Sequence, residues 1–356
     1  MENDQKKYIK TIDPVNDKRW DTFIMNHPES TFFHLSAWAE LLTDVYCKPP
    51  DYYILENESG EILAAAPFFR LWSPLSGKRL VCVPRGDNCF PLAYREEDIN
   101  YLMAKVIEKA NESHDSLVEI RGWGNLGIPK KFGFKKFSYY LTHDVRLEDD
   151  LDKVRAKMDR NGRYNLRYAE KSPVTVRLGQ NENDLKKFYR LAVTTRKRLN
   201  LLPQPYHLFR NIYKHIIIPE HGYLLLAELK GKIIAANMYY HFKDTFIHEF
   251  NAQDRQYFDY RPNYLIIWKA MELAASKSCK YYNFGRTNPE NKSLAIFKKH
   301  WGSEERILSY YYYPSVRGIS AIPHNSLTYR AHTNINKLLP CFLLKIAGRL
   351  VYRHMG

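Results

Sequence analysis

Two halves of this chain read as copies of each other, and that constrains the fold more than any other feature. "EILAAAPFF" (Glu61–Phe69) matches "KIIAANMYY" (Lys232–Tyr240), each preceded by a short apolar run and a glycine turn, "YYILENESG" and "YLLLAELKG". Each pair of runs predicts a β-hairpin. Farther on, "YLMAKVIEKANESHDSLVEIRGWGN", from Tyr101, parallels "LIIWKAMELAASKSCKYYNFGRTN", from Leu265. Both read as an amphipathic helix, a polar loop and a strand ending in Arg-Gly or Gly-Arg. "KKFGFKKF" then stands opposite "FKKHWGSEE". Upstream, "DKRWDTFIMNHPESTFFHLSAWAELL" and "NDLKKFYRLAVTTRKRLNLLPQPYHLFRNIY" each read as two short helices. Each half is therefore expected to run helix, helix, antiparallel strands, helix, strand, loop, strand, an α+β order with one sheet covered by helices. Residues 1–150 and 151–315 are the expected domains, and 316–356 a basic amphipathic tail.

Composition narrows the class of partner. The chain has 356 residues, 45% apolar and 14% aromatic, enough for a sizeable core and more than the roughly 100–200 residues of one domain. Lys plus Arg total 54 against 39 Asp plus Glu, a formal charge of +15. Such a balance points to anionic partners: nucleic acid, phosphorylated metabolites or a membrane face. Five scattered cysteines form no CxxC pair, and thirteen histidines form no HExxH, so neither a disulfide framework nor a metal site is expected. A cytoplasmic setting follows, and "MENDQKKYIK" lacks the apolar segment of a signal peptide.

A duplicated unit of this kind resembles the acyltransferase fold of the GNAT class. Two in tandem resemble the FemAB family, nonribosomal enzymes that add amino acids to the side-chain amine of a peptidoglycan precursor. The resemblance runs from about Trp20 to the C-terminus and is sharpest at "YNFGR" and "FKKHWG". It implies two tandem GNAT-like (acyl-CoA N-acyltransferase-like) domains, each a mixed, mostly antiparallel sheet flanked by helices, and acyl transfer onto an amine.

In the family, the lysine of the matching Phe-Lys pair is associated with the transfer centre, which gives Lys298 that role. Amine acylation passes through a tetrahedral oxyanion that a fixed positive charge stabilises. Phe297 is expected to anchor the segment so that Lys298 points toward a cleft between the halves, with Phe297 and Trp301 bordering the substrate. Arg286, after a strand and a glycine, can clamp a carboxylate or phosphate or make a structural salt bridge. Arg121 occupies the equivalent place in the first half, which has no lysine in the register of Lys298; chemistry is thus expected in the second half and substrate holding in the first. Glu249, in "TFIHEFNAQ", is the nominated general base, with an edge-strand Glu in water or substrate-assisted deprotonation as alternatives.

The donor is read from a turn. CoA-dependent members of the class show a glycine-rich turn before the central helix, whose bare amides hold pyrophosphate. Here "NAQDRQYFDYRPNYLIIWKAM" has no glycine, and Pro262 removes an amide donor. With the basic charge, this favours aminoacyl-tRNA; acetyl-CoA or another acyl-CoA is the alternative, with Arg255 and Arg261 holding phosphate by side chain. Lys153, Lys157, Arg160, Arg167 and Lys171 recur at helical spacing with Arg163 one step aside, either a phosphate-contacting stripe or a solvated face. Arg198 fits a family pattern whose arginine contacts acceptor phosphate, although the family's first-half lysine is Leu42 here.

After Glu305 the chain has no acidic residue and seven Lys and Arg. Residues 334–356 set Leu338, Leu339, Phe342, Leu343, Ile346, Leu350 and Val351 among Lys337, Lys345, Arg349 and Arg353. The segment is too short and charged to span a bilayer. It suits an anionic membrane face, hence peripheral contact and a lipid-linked amine acceptor, or packing against the first domain. A non-catalytic RNA- or membrane-binding protein of the same fold is the remaining alternative.

Overall fold

The expected hairpins form, and their turns show why. The structure is a computed structural model that describes residues 6–74, 77–122, 127–148, 150–314 and 340–352. It divides into two units.

In the first, Lys7–Ile12 (β1), Asp51–Asn57 (β2), Ile62–Ser73 (β3) and Gly77–Val81 (β4) pair antiparallel in succession, with the short Leu92–Ala93 (β5) against β3. Helix Glu96–Glu112 then carries the chain across to Leu117–Arg121 (β6), parallel to β4; a parallel pair requires such a crossover. Glu96, Glu97 and Asp98 in its first turn and Lys109 in its last complement the helix dipole.

The second unit repeats this order. Its strands are Lys135–Arg146 (β7, from Tyr140 onward), Thr175–Leu178 (β8), Gly222–Leu229 (β9), Lys232–Phe242 (β10), Thr245–Gln253 (β11) and Tyr281–Thr287 (β12). They lie in the order β7-β12-β11-β10-β9-β8. Between β9 and β10 only Lys230 and Gly231 intervene, at φ 49° and 78°, the left-handed pair that a tight hairpin with right-handed twist demands. Helix Pro262–Ser276, opened by proline at its first position, crosses to β12, parallel to β11. Glu304–Tyr313 (β13) leads back to the first unit, where Tyr310–Tyr313 pair with β6.

Several expectations shift. The first unit ends at Tyr139, short of residue 150, and regains the chain from Leu308. The reason is strand pairing: Leu141–Arg146 hydrogen-bond with β12, a partner far away in sequence. Helix Pro262–Ser276 is buried around most of its circumference (Leu265, Ile266, Ile267, Trp268, Ala270, Met271, Ala274), because helix Arg160–Glu170 packs on it as well as the sheet. Glu182–Arg198 is one long helix, N-capped by Asn181, rather than a short one. Cys341–Tyr352 is helical, with Leu344 and Gly348 buried. Up to Val351 it belongs to the second unit, and a Cβ at Gly348 would lie 2.2 Å from the Pro203 carbonyl oxygen. Lys337, Leu338, Leu339 and Arg353 lie outside the described residues.

Candidate functional site

β11 and β12 run together for three residue pairs, Thr245↔Tyr281, Phe246↔Tyr282 and Ile247↔Asn283, and then part. Each strand has a local cause. The β10–β11 ladder steps from Met238↔Phe250 to Tyr239↔His248, so Glu249 is the extra residue of a β-bulge, which bends the strand. In β12 the register against β7 slips between Asn283 and Arg286. Gly285 there adopts φ 65°, open to glycine at no steric cost. The result is a wedge between two parallel strands.

Lys298 closes the β12 side of this wedge. It is 4% exposed, and its Nζ donates to the carbonyls of Phe284, Gly285 and Arg286 at 2.7, 2.9 and 3.4 Å. This corrects the expectation that Lys298 points out into a cleft. The stretch read as a loop is the helix Lys292–Lys299, capped by Asn291, and it turns Lys298 inward onto the backbone of β12. Three ammonium protons meet three carbonyls, so the charge is present while direct donation to a substrate is not arranged.

Phe297 is half-buried, edge-on to Tyr264 at 5.3 Å and 75°, an anchor as expected. Trp301 is fully buried and lies near-parallel to Tyr264 at 5.5 Å and 24°; it is core and leaves no face for a substrate. Gly302 explains the Trp-Gly pair: it has φ 70°, and a Cβ would stand 2.7 Å from the Lys157 carbonyl oxygen.

Two histidines that the sequence reading missed feel the charge of Lys298. Burial, and then that charge, push the His248 imidazole down to about 3, so it is neutral at pH 7. Its Nδ1 lies 3.2 Å from the Tyr282 hydroxyl, and its Nε2 is buried without a hydrogen-bond partner among the described residues. His143 is fully buried and lowered by the same two causes in the same order. Its Nε2 is 3.3 Å from Glu305 Oε2, an approach that falls short of hydrogen-bond geometry. Beside them, Asn283 donates to Thr142 Oγ1 (2.9 Å) and Asp144 Oδ1 (2.5 Å) and accepts from the Gly285 amide (2.7 Å). Arg306 holds the other Asp144 oxygen at 2.5 and 3.0 Å. These bonds fix the turn that carries Arg286. Arg286 is exposed, its guanidinium 4.9 Å from the centre of the Tyr140 ring. Alternation in "TFIHEF" could have flagged His248, which shares a face with Phe246; nothing local marks His143 or Asp144, which matter only because β7 pairs with β12.

At the end of β11 the structure brings two predicted arginines together. Thr195 Oγ1 and the Gln253 backbone exchange hydrogen bonds at 3.0 and 3.2 Å, which docks the end of helix Glu182–Arg198 on the strand. Arg198 lies over Phe258 at 5.0 Å, and burial together with the charge of Arg255 lowers its pKa. Two like charges that feel each other at one end of a strand suit an anion. Arg261, by contrast, is structural: it donates to Asn165 Oδ1 (2.9 Å) and the Phe258 carbonyl (2.7 Å). The turn's amides are also engaged, Gln256 and Tyr257 with Asp254, Arg261 with Phe258, and Tyr264 with Arg261.

The basic stripe divides. Arg163 donates to the Ala156 and Met158 carbonyls and is structural. Lys157 pairs with Glu148 at 2.5 Å. Arg160 and Arg167 are exposed beside exposed Tyr164 and Tyr168. Glu249 sits half-buried at the bulge. Counted from the last parallel pair, Val81↔Glu119 and Ile247↔Asn283, Arg121 corresponds to Gly285 and Gly122 to Arg286, a correction of one residue. An open depression of about 420 Å³ on the first unit, lined by Lys18, Arg19, Phe23 and Tyr94, has its arginine bound to Asp17 and Glu56 and gathers no comparable set.

Residues 156–293 match the family model of an acetyltransferase (GNAT) domain. No curated protein matches the chain. Among solved structures, FemX superposes with a TM-score of 0.70 at 18% identity, over 86% of this chain and 96% of that one. The C-terminal domain of a putative lysylphosphatidylglycerol synthetase from Agrobacterium fabrum gives 0.56 at 13%, over 84% and 92%. A tandem GNAT protein from the clavulanic acid biosynthesis pathway gives 0.51 at 10%, over 87% and 100%. At such identities the likeness is one of fold: the chain has a FemX-like, FemAB-type fold of GNAT-like acyltransferase architecture, a mixed sheet flanked by helices.

Proposed function

We propose that the second unit passes an aminoacyl group from tRNA to an amine. The observation that carries this is the parting of β11 and β12 with Arg198 and Arg255 at the end of β11. A thin acyl group fits between parted strands as an added strand does, and phosphates on its carrier meet the two arginines. The buried charge of Lys298 favours an oxyanion forming in the wedge without bonding to it. In this reading Glu249, on the bulge, takes the proton of the attacking amine, the ester bond to the tRNA ribose breaks as the amide forms, and that proton goes to the departing ribose oxygen; Arg286 holds an anionic acceptor.

The choice of donor rests on two features. The amides before helix Pro262–Ser276 are internally bonded, so they form no cradle for a pyrophosphate. Helix Arg160–Glu170, joined to that turn through Asn165 and Arg261, presents Arg160, Tyr164, Arg167 and Tyr168 to solvent. Guanidinium groups alternating with aromatic rings suit a polynucleotide with unstacked bases. An anionic acceptor such as a lipid-linked or cell-wall precursor fits the basic charge.

The test is binding and transfer with charged tRNA, deacylated tRNA and acetyl-CoA at low and moderate salt. Charged tRNA should be preferred, bind less tightly as salt rises, and lose affinity in the Arg198→Ala/Arg255→Ala variant. Transfer from acetyl-CoA without a tRNA preference would replace this reading by a CoA-dependent N-acyltransferase. RNA binding that survives Lys298→Met, with no transfer by the wild type, would make the chain a binding module.

A further inference from the structure

Helix Cys341–Tyr352 is built inside out for a protein surface. Leu344 and Gly348 face inward, and glycine lets the helix settle against Pro203. Outward, Phe342 is 63% exposed, Leu343 37%, Ile346 55% and Leu350 58%. At about 100° per residue, Phe342, Ile346, Leu350 and Leu343 follow one another around a single arc. Exposed Arg349 and Lys345 border it on one side. Lys345 leans on Tyr189, its Nζ 5.6 Å from the ring centre.

We propose that this face docks on an anionic bilayer surface. The inference concerns where the molecule sits and goes beyond the transfer reaction. Charge complementarity selects the occupant: the two cations line one side of the apolar arc, the sequence has no acidic residue after Glu305, and the chain carries +15 overall. In a helix lying flat, the four apolar side chains enter the acyl boundary while Lys345 and Arg349 reach up to headgroup phosphates. Twelve residues give a helix about 18 Å long, too short to cross. Among the described residues no helix is long and apolar enough to do so.

The experiment is flotation of the full chain with vesicles of phosphatidylcholine alone and of phosphatidylcholine mixed with phosphatidylglycerol. Binding is expected to the mixed vesicles only and to weaken with salt. Ile346→Ser/Leu350→Ser should cut partitioning about tenfold or more, and Lys345→Glu/Arg349→Glu by a similar factor. Because all four side chains are exposed, the Tm of both variants should match the wild type, which separates lost docking from lost folding. Absence of binding, equal binding to both vesicle types, or binding unchanged in the variants would overturn the proposal. So would a wild-type dimer that Ile346→Ser/Leu350→Ser turns into monomer without any vesicle binding, which would give the face to a second copy of the chain.

Discussion

The two units share a topology and differ most tellingly in the space beside the crossover strand. In the first unit β4 and β6 pair over Arg79↔Leu117, Leu80↔Val118 and Val81↔Glu119, as β11 and β12 do over their three pairs. The chain then turns sharply through Val83 and Arg85, both at positive φ, and returns so that Cys89 bridges Arg121. Arg121 is buried, its Nε 2.6 Å from Glu119 and its guanidinium 5.0 Å from the Tyr310 ring centre. A side chain at Gly122 would overlap Asn88, whose Oδ1 stands 1.8 Å from the Cβ position. The first wedge is thus filled by its own loop and locked by an ion pair. In the second, β11 runs on past its bulge, paired to β10 alone, and a lysine holds the turned carbonyls of β12. One fold yields a sealed site and an open one, and the difference lies in a few residues after the third parallel pair.

The comparison breaks or sharpens under mutation. The largest effect is expected for Arg121→Met, which strips buried Glu119 of its hydrogen-bonded cation and leaves it only the charge of Arg79, at a cost of up to about 3–5 kcal/mol; urea unfolding should show it while transfer per folded molecule stays intact. Lost transfer in folded protein would mean that the sealed wedge takes part in chemistry. Lys298→Met should lower transfer by about 10²–10³-fold and stability by about 1–3 kcal/mol, with Lys298→Arg restoring stability more than rate.

Next comes the edge of the second sheet, where Arg177 pairs with Asp184 at 2.8 Å and Glu228 at 3.1 Å. The hydrogen bond from Arg177 holds Asp184 down to about 2, below its ordinary 3.8. A depressed carboxylate stabilises fully above pH 3.8, and the gain disappears as pH falls through 2. About 2 kcal/mol should therefore be lost in acid by the wild type, and the larger part of it be missing already at pH 7 in Arg177→Ala, the Gln180 amide and Lys187 holding the rest. His248 acts in the same direction at higher pH: lowered from 6.5 to about 3, it costs folding stability progressively as pH drops through that window. His248→Gln should give a shallower decline there, and an unchanged slope would argue against its burial as a neutral ring. The smallest effect is expected for the exposed pairs Lys105–Glu108 and Lys269–Glu272 on the two crossover helices; replacing either lysine by alanine should leave the unfolding midpoint almost unmoved, because solvent screens such pairs.

Much of the fold was legible because it rests on short-range rules. Hairpin turns need Gly60 and Lys230-Gly231, crossover helices need their apolar faces, and both lie within a dozen residues of one another in the chain. The site was legible in part. Lys298, Arg286, Arg198 and Arg255 were picked out by motif and by charge, yet the local sequence placed Lys298 in a loop because "NKSLAIFKKH" has the polarity of one. Arg163, Arg261 and Trp301 looked like substrate contacts and are structural, since the carbonyls and rings that engage them come from other elements.

What the sequence determined by itself was the repeated order of strands and helices, the excess of positive charge, and the acyltransferase type of architecture. Its periodicities and turn residues act over a few neighbours, and composition needs no contacts at all. Tertiary structure decided which wedge stays open, that Lys298 spends its protons on β12 carbonyls, that Arg198 comes within reach of the charge of Arg255, and that the last helix turns its apolar arc outward. Each of these depends on groups far apart in the chain, and the pairing of distant strands and the packing of distant helices set distances that no local pattern encodes.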